Sequence, residues 1–214
     1  MDIVGLLLSL TELNYLAHAY LSFDDSAIMV GNIIGDSVKG KQYQDFPLNI
    51  QMGLLLHRRI DSFTDQHPKI SSIKDYFRSE FGLYSGIVVD ILCDHILAEN
   101  FNAFTQKNLG EFSQKVYQNM ELHQEILPES WQVRRFYMKK HDWLSQYATI
   151  EGIQQSFKGL NKRIFHDIDL SKSLKTFGSN KIEIKILFED FFEEIIDYMP
   201  TVRKEISFFL ANKE

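Results

Sequence analysis

Tyr84-Ser85-Gly86-Ile87-Val88-Val89-Asp90-Ile91-Leu92-Cys93-Asp94-His95-Ile96-Leu97-Ala98 decides the fold class. Apolar residues fall on every side of this stretch when it is wound at 100° per residue. A helix that is apolar all round is a buried one. It nevertheless carries Asp90, Asp94 and His95, and Asp90 and Asp94, four residues apart, share a face. Two carboxylates on one buried face repel each other and are costly to desolvate. A cation between them resolves both problems. The plainer alternative is that they accept hydrogen bonds from neighbouring loops or pair with arginine.

The rest of the chain agrees with a helical protein. Its 214 residues suffice for one domain without staples, and 44% of them are apolar. Eleven glycines and four prolines make about 7% of the chain, below the usual ~12%. So few breakers disfavour a turn-rich β fold. The sequence predicts helices near 13–23, 26–38, 47–66, 70–80, 84–104, 109–126, 129–147, 149–165, 182–198 and 200–212. Pro200 is expected to part the last two, and 169–180 to be non-helical. The expected architecture is one all-α domain, a helical bundle over 1–214. Its polar residues in apolar settings lie in 1–104, and 181–212 reads as amphipathic scaffold.

Charge and cysteine content narrow the functions. Lys and Arg number 23 against 29 Asp and Glu, a net charge of −6, so neither nucleic acid nor an anionic membrane is an expected partner. No apolar run approaches the ~20 residues of a membrane span. Met1–Leu8 is apolar, but Asp2 stands where an export signal wants a cation. Cys93 is the single cysteine, which excludes an internal disulfide and a cysteine zinc site and points to a cytoplasmic setting. There is no phosphate-binding glycine loop, Rossmann fingerprint or GxSxG.

A second segment, Gly53-Leu-Leu-Leu-His57-Arg58-Arg59-Ile-Asp61-Ser-Phe-Thr-Asp65-Gln-His67-Pro68, puts His57, Asp61 and Asp65 on one stripe. An imidazole and a carboxylate one turn apart share a metal, or the carboxylate orients the ring; an ordinary exposed polar face has the same spacing. His18 lies in Asn14-Tyr-Leu-Ala-His18-Ala-Tyr-Leu, and Asp36 ends Gly31-Asn32-Ile-Ile-Gly35-Asp36. Gly31 and Gly35 leave a smooth strip for another helix. His18, Asp36, His57, Asp61, Asp90, Asp94 and His95 thus form a His/Asp set spread over four helices. Bundles build metal sites from such inward-facing side chains. Mixed imidazole and carboxylate ligands suit Mn²⁺, Fe or Mg²⁺.

On four strings the chain resembles the acyl carrier protein phosphodiesterases, a divergent branch of the HD phosphohydrolase superfamily. They are NYLAHAYLS (14–22), GNIIGDSVKGK (31–41), GLLLHRRIDSFTDQHP (53–68) and YSGIVVDILCDHILAENF (84–101). The likeness covers roughly 13–104; beyond that it rests on WQVRRFYMKKHDWL (131–144) and the final helices. Family chains usually start at the position of Leu13, so residues 1–12 read as an extension. The resemblance implies an all-α, HD-like fold and a divalent metal, typically Mn²⁺. The implied reaction cleaves the phosphodiester joining the 4′-phosphopantetheine arm to the carrier-protein serine. Motif by motif, it carries over His18, Asp36, the pair His57 and Asp61, and the pair Asp94 and His95.

Asp36, His57 and Asp94 are the first candidates for ligands, then His18, with the ion between helices 47–66 and 84–104. Asp61, Asp90 and His95 are candidates to move a proton or orient a ligand. Because carrier proteins are acidic, Lys39, Lys41, Arg58, Arg59, Arg134, Arg135, Lys139 and Lys140 are candidates for a basic docking surface. Two rival functions fit the same residues: a phosphohydrolase acting on a nucleotide or other small phosphate ester, and a non-catalytic helical binding module.

Overall fold

The computed structural model describes residues 14–164 and 168–212; the extension 1–12 and the expected helix ends at 13 and 165 lie outside them. Among the described residues there are helices and no strands. Two short helices, α1 (Tyr15–Tyr20) and α2 (Ser26–Ile33), precede a 3₁₀ turn at Gly35–Ser37. The long α3 (Leu48–Gln66) starts after Pro47 and stops before His67-Pro68. A residue preceding proline is driven out of the α region, and His67 is extended at ψ 127°. Then α4 (Pro68–Phe81) leads to the central α5 (Ser85–Glu99).

The helix expected over 84–104 is divided at Asn100, and α6 (Phe101–Thr105) follows. Next come α7 (Leu109–Leu122), α8 (Glu129–Lys140), α9 (Trp143–Gln146), α10 (Ile150–Asn161), α11 (Ser173–Ser179) and α12 (Lys181–Ala211).

Among the described elements, α2 and α3 pack most extensively against each other. A Cβ on Gly31 would meet the Ile50 carbonyl at 2.4 Å, and one on Gly53 would meet the Ile28 carbonyl at 2.2 Å. The two backbones therefore touch at a glycine–glycine crossing that no side chain fits. This crossing sets Asn32 and the Asp36 turn against the His57 face of α3. Behind them, Leu16, Met29, Ile34, Leu56, Ile91 and Phe188 join one continuous core, each such side chain contributing about 1.5–3 kcal/mol on burial.

Three further expectations are corrected. Pro200 does not separate two helices but lies inside the 31-residue α12. An interior proline costs ~3 kcal/mol; Phe188, Phe192 and Ile195 before it and Val202 and Ile206 after it are all buried, so one core holds both halves. The stretch 169–180 contains a 3₁₀ turn (Leu170–Lys172) and α11, anchored by buried Leu170 and Phe177. The helix expected over 129–147 ends at Lys140, because the Tyr117 hydroxyl donates to Asp142 Oδ1 and accepts from the Leu144 amide, both at 3.0 Å. Asp142 takes φ 46° to allow this. The span Pro68–Glu99 is long and apolar enough to cross a membrane, but 72% of its most apolar window is buried within the protein.

Candidate metal centre

His18 stands on α1, which has six residues and no side-chain cap of its own. Asp94 on α5 supplies one: its carboxylate oxygens accept from the Leu16 amide at 2.9 Å and the Ala17 amide at 3.0 Å. The remaining polar groups come from α2, the Asp36 turn and α3. His18 Nδ1 lies 2.7 Å from Asn32 Oδ1, and His57 Nδ1 lies 2.8 Å from the Asn32 carbonyl. The two imidazoles stack with centroids 4.2 Å apart and planes 23° apart.

The Nε2 atoms turn to one carboxylate. His18 Nε2 is 3.3 Å from Asp61 Oδ1, and His57 Nε2 is 3.1 Å from Asp61 Oδ2. Asp36 Oδ1 is 3.4 Å from His57 Nε2. These are ion-pair distances without hydrogen-bond geometry, so both buried Nε2 atoms lack a hydrogen-bond partner. The imidazoles are closed off from solvent, whereas the Asp61 side chain is 40% exposed. The cluster thus opens to water through Asp61.

The charges are strongly coupled. Burial by itself lowers the basicity of His57, but Asp36 and Asp61 outweigh it and raise its pKa to about 10. Burial likewise works against the Asp61 carboxylate, and the two imidazoles more than compensate, holding it well below the ordinary carboxylate range. His18, His57 and Asp61 present ligand atoms all within 4.8 Å of one another. Two unpartnered imidazole nitrogens facing a carboxylate are a donor set that suits a divalent cation, so the residues fit the metal that the sequence implies.

Four of the seven His/Asp candidates therefore meet: His18, Asp36, His57 and Asp61. The other three do not join them. Asp94 is fully buried with both oxygens on α1 amides, so it secures the helix that carries His18; this is the plainer alternative considered for it. His95 turns to the other side of α5, where Nδ1 lies 2.7 Å from the Tyr147 carbonyl and Nε2 3.6 Å from Glu99. Burial lowers its pKa. Asp90 faces a cavity of about 30 Å³ shared with Asn14, Thr64 and Phe188, and burial raises its pKa to about 8. The cluster accordingly lies between α1, the Asp36 turn and α3, not between α3 and α5.

The basic candidates divide as well. Arg58 donates to the Val38 carbonyl at 3.0 Å and lies over the Tyr43 ring, bracing the segment after Asp36. Arg134 is stacked on Trp131 and donates to the Tyr15 hydroxyl. Arg135 reaches the Gln124 and Gln132 side chains, and Lys139 pairs with Glu121. Arg59 pairs with Glu205. Lys39, Lys41 and Lys140 are exposed. Asn32, which contacts both imidazoles, is not among the residues the sequence singles out. The signal was there: an amide amid Ile28-Met-Val-Gly-Asn32-Ile-Ile is as conspicuous as the aspartates of α5.

Fold and cluster together define a helical protein whose bundle carries a mixed imidazole–carboxylate centre of the kind that holds a divalent cation. The comparisons with known proteins make this specific. The chain belongs to the acyl carrier protein phosphodiesterase family, whose model matches residues 13–195. Proteins named acyl carrier protein phosphodiesterase are similar to it. The one from Pectobacterium atrosepticum is 28% identical over 190 residues, 88% of this chain and 98% of the relative. Those from Yersinia pestis and Escherichia coli are 29% and 31% identical, each over 71% of this chain and 79% of the relative. No solved structure matches it.

Proposed function

We propose that this protein hydrolyses the phosphodiester that joins 4′-phosphopantetheine to the serine of holo acyl carrier protein, with Mn²⁺ held by His18, His57 and Asp61 and with Asp36 beside them. The observation that carries this reading is the pair of buried, unpartnered Nε2 atoms converging on Asp61 in a chain of this family. A diester resists water because its negative charge repels nucleophiles. A bound divalent cation offsets that charge and makes a water more acidic.

The chain's own groups supply the rest. His18 and His57 keep solvent away from the inner side of the cluster. Asp61 is the half-exposed side through which a phosphoryl group approaches. Asp36, with its side chain 19% exposed and 3.4 Å from His57 Nε2, is the candidate to take a proton from the attacking water.

The substrate arm needs a protein surface beside the cluster. Trp131 Nε1 donates to Ser37 Oγ at 2.9 Å, which ties α8 to the Asp36 turn. The outer face of α8 exposes Val133, Phe136 and Tyr137, with Lys140 over both rings, while Arg135 lies on the flank of the helix, held to Gln124 and Gln132. Lys39 and Lys41 follow the Asp36 turn in the chain and are exposed. Such a face, apolar with a basic border, suits an acidic carrier protein. A cytoplasmic location accords with the single cysteine and is part of the same proposal.

The test offers purified, Mn²⁺-loaded protein either holo carrier protein or a small phosphodiester such as bis(p-nitrophenyl) phosphate. Intact mass of the carrier protein should fall by the phosphopantetheine arm, with the small ester turned over far more slowly. Efficient cleavage of the small ester with no change in the carrier protein would overturn the substrate assignment.

A further inference from the structure

Asn32 is completely buried and every polar atom of its side chain is engaged. Its Nδ2 donates to the His18 carbonyl at 2.7 Å and to Ser22 Oγ at 3.0 Å. Ser22, also fully buried, gives its one hydroxyl hydrogen to the same His18 carbonyl at 2.7 Å. Ser22 Oγ must therefore accept, and the side of the Asn32 amide facing it must be the NH₂. The opposite assignment would set Oδ1 against a carbonyl oxygen. Asn32 Oδ1 is then the atom 2.7 Å from His18 Nδ1, so that nitrogen carries a hydrogen. His57 Nδ1 faces the Asn32 backbone carbonyl, which only accepts, so it carries one as well.

We propose that Asn32 is the positioning residue of this centre: one residue fixes both imidazoles, His18 through its side chain and His57 through its backbone, so that both Nε2 atoms are presented to the cation. Outer partners of this kind set the ring orientation and tautomer of a ligating histidine, and losing one typically weakens metal affinity ~10–100-fold. Here the two are joined in one residue at the glycine crossing of α2 and α3. A shift of α2 would therefore disturb both rings together. The inference rests on the cluster's being a metal centre, but its geometric part is testable without metal.

The division between side chain and backbone provides the test. ¹H–¹⁵N spectra of metal-free protein labelled at histidine should show Nδ1-bound, exchange-protected hydrogens for both His18 and His57. In Asn32→Leu the His18 signal should be lost and the His57 signal kept, with Mn²⁺ affinity by calorimetry falling ~10–100-fold. Asn32→Ala, which removes the amide without adding bulk, should likewise lose the His18 signal and keep that of His57. It serves as the second variant if the leucine form does not fold. An unprotected His18 Nδ1 in wild type, or Asn32→Leu with the His18 signal intact and Mn²⁺ affinity within twofold of wild type, would overturn the assignment. Both signals behaving as expected while neither protein binds Mn²⁺ would refute the metal reading of the cluster and with it the role of Asn32 towards a cation.

Discussion

Gly35→Ala should damage the centre through a single methyl group. A Cβ at this position would stand 2.2 Å from His57 Cγ, 2.5 Å from Cδ2 and 2.6 Å from Cβ. Ordinary contact starts near 3.4 Å, so the ring must retreat by about 1.2 Å. It has little freedom to do so. One face stacks on His18 at 4.2 Å, and Nδ1 is held to the Asn32 carbonyl at 2.8 Å. Retreat therefore crowds His18 or breaks that bond, and an unpaired buried N–H costs about 1–3 kcal/mol.

Displacing one ligand and its orienting bond should weaken Mn²⁺ binding ~10–100-fold. Backbone entropy alone predicts the opposite sign, since Gly→Ala at an unstrained position stabilises by about 0.4–1 kcal/mol. Gly178→Ala, with no atom within 4 Å of its new Cβ, is the control and should show that small gain. The assays are thermal unfolding and Mn²⁺ calorimetry. Gly35→Ala as stable as the control variant and binding Mn²⁺ like wild type would refute the packing argument and the position of His57.

Three further outcomes follow from the structure. Asp94→Ala should unfold at lower temperature, since the Leu16 and Ala17 amides lose their acceptor at a cost of about 1–3 kcal/mol, and should still bind Mn²⁺ when folded; unchanged melting with no bound metal would restore Asp94 to the ligand set. Asp90 has a folded pKa of about 8 against an unfolded value near 3.9, so the fold holds this proton more tightly and loses stability as pH rises from about 4 to 8. Asn at this position removes that loss, and the urea midpoint of Asp90→Asn relative to wild type should rise between pH 5 and pH 8; a constant difference would mean an ordinary carboxyl. For holo carrier protein, kcat/KM should fall with added salt and fall again in Arg135→Glu/Lys140→Glu, because a steered encounter weakens as the Debye length shrinks from ~10 Å at 0.1 M to ~3 Å at 1 M. A salt-independent rate, equal in the variant, would count against docking on α8.

What was legible in the sequence follows the range of the physics. The i,i+4 spacing of His57 and Asp61 is local, and it correctly put both on one stripe of a helix ending before His67-Pro68. The smooth strip of Gly31 and Gly35 was legible for the same reason, and it faces α3. The all-round apolar character of α5 marked it as buried. It did not say what its aspartates would meet, because Asp94 serves amides 78 and 77 residues away and only the tertiary fold brings them together. Pro200 does not end α12, against the local expectation, because its penalty is outweighed by burial along the whole helix. Asn32 is less legible than the charged residues because an uncharged amide in an apolar run costs less to bury, although its burial raises the same question of where its hydrogen bonds go.

The most direct test is a Mn²⁺ titration of metal-stripped protein against holo carrier protein, reading release of 4′-phosphopantetheine by intact mass, with Asp61→Asn alongside. If the centre works as described, release is negligible without metal and rises to a plateau as the site fills in wild type, while folded Asp61→Asn neither retains the metal nor releases the arm. Turnover by protein shown to be free of metal, or full activity in Asp61→Asn, would contradict it.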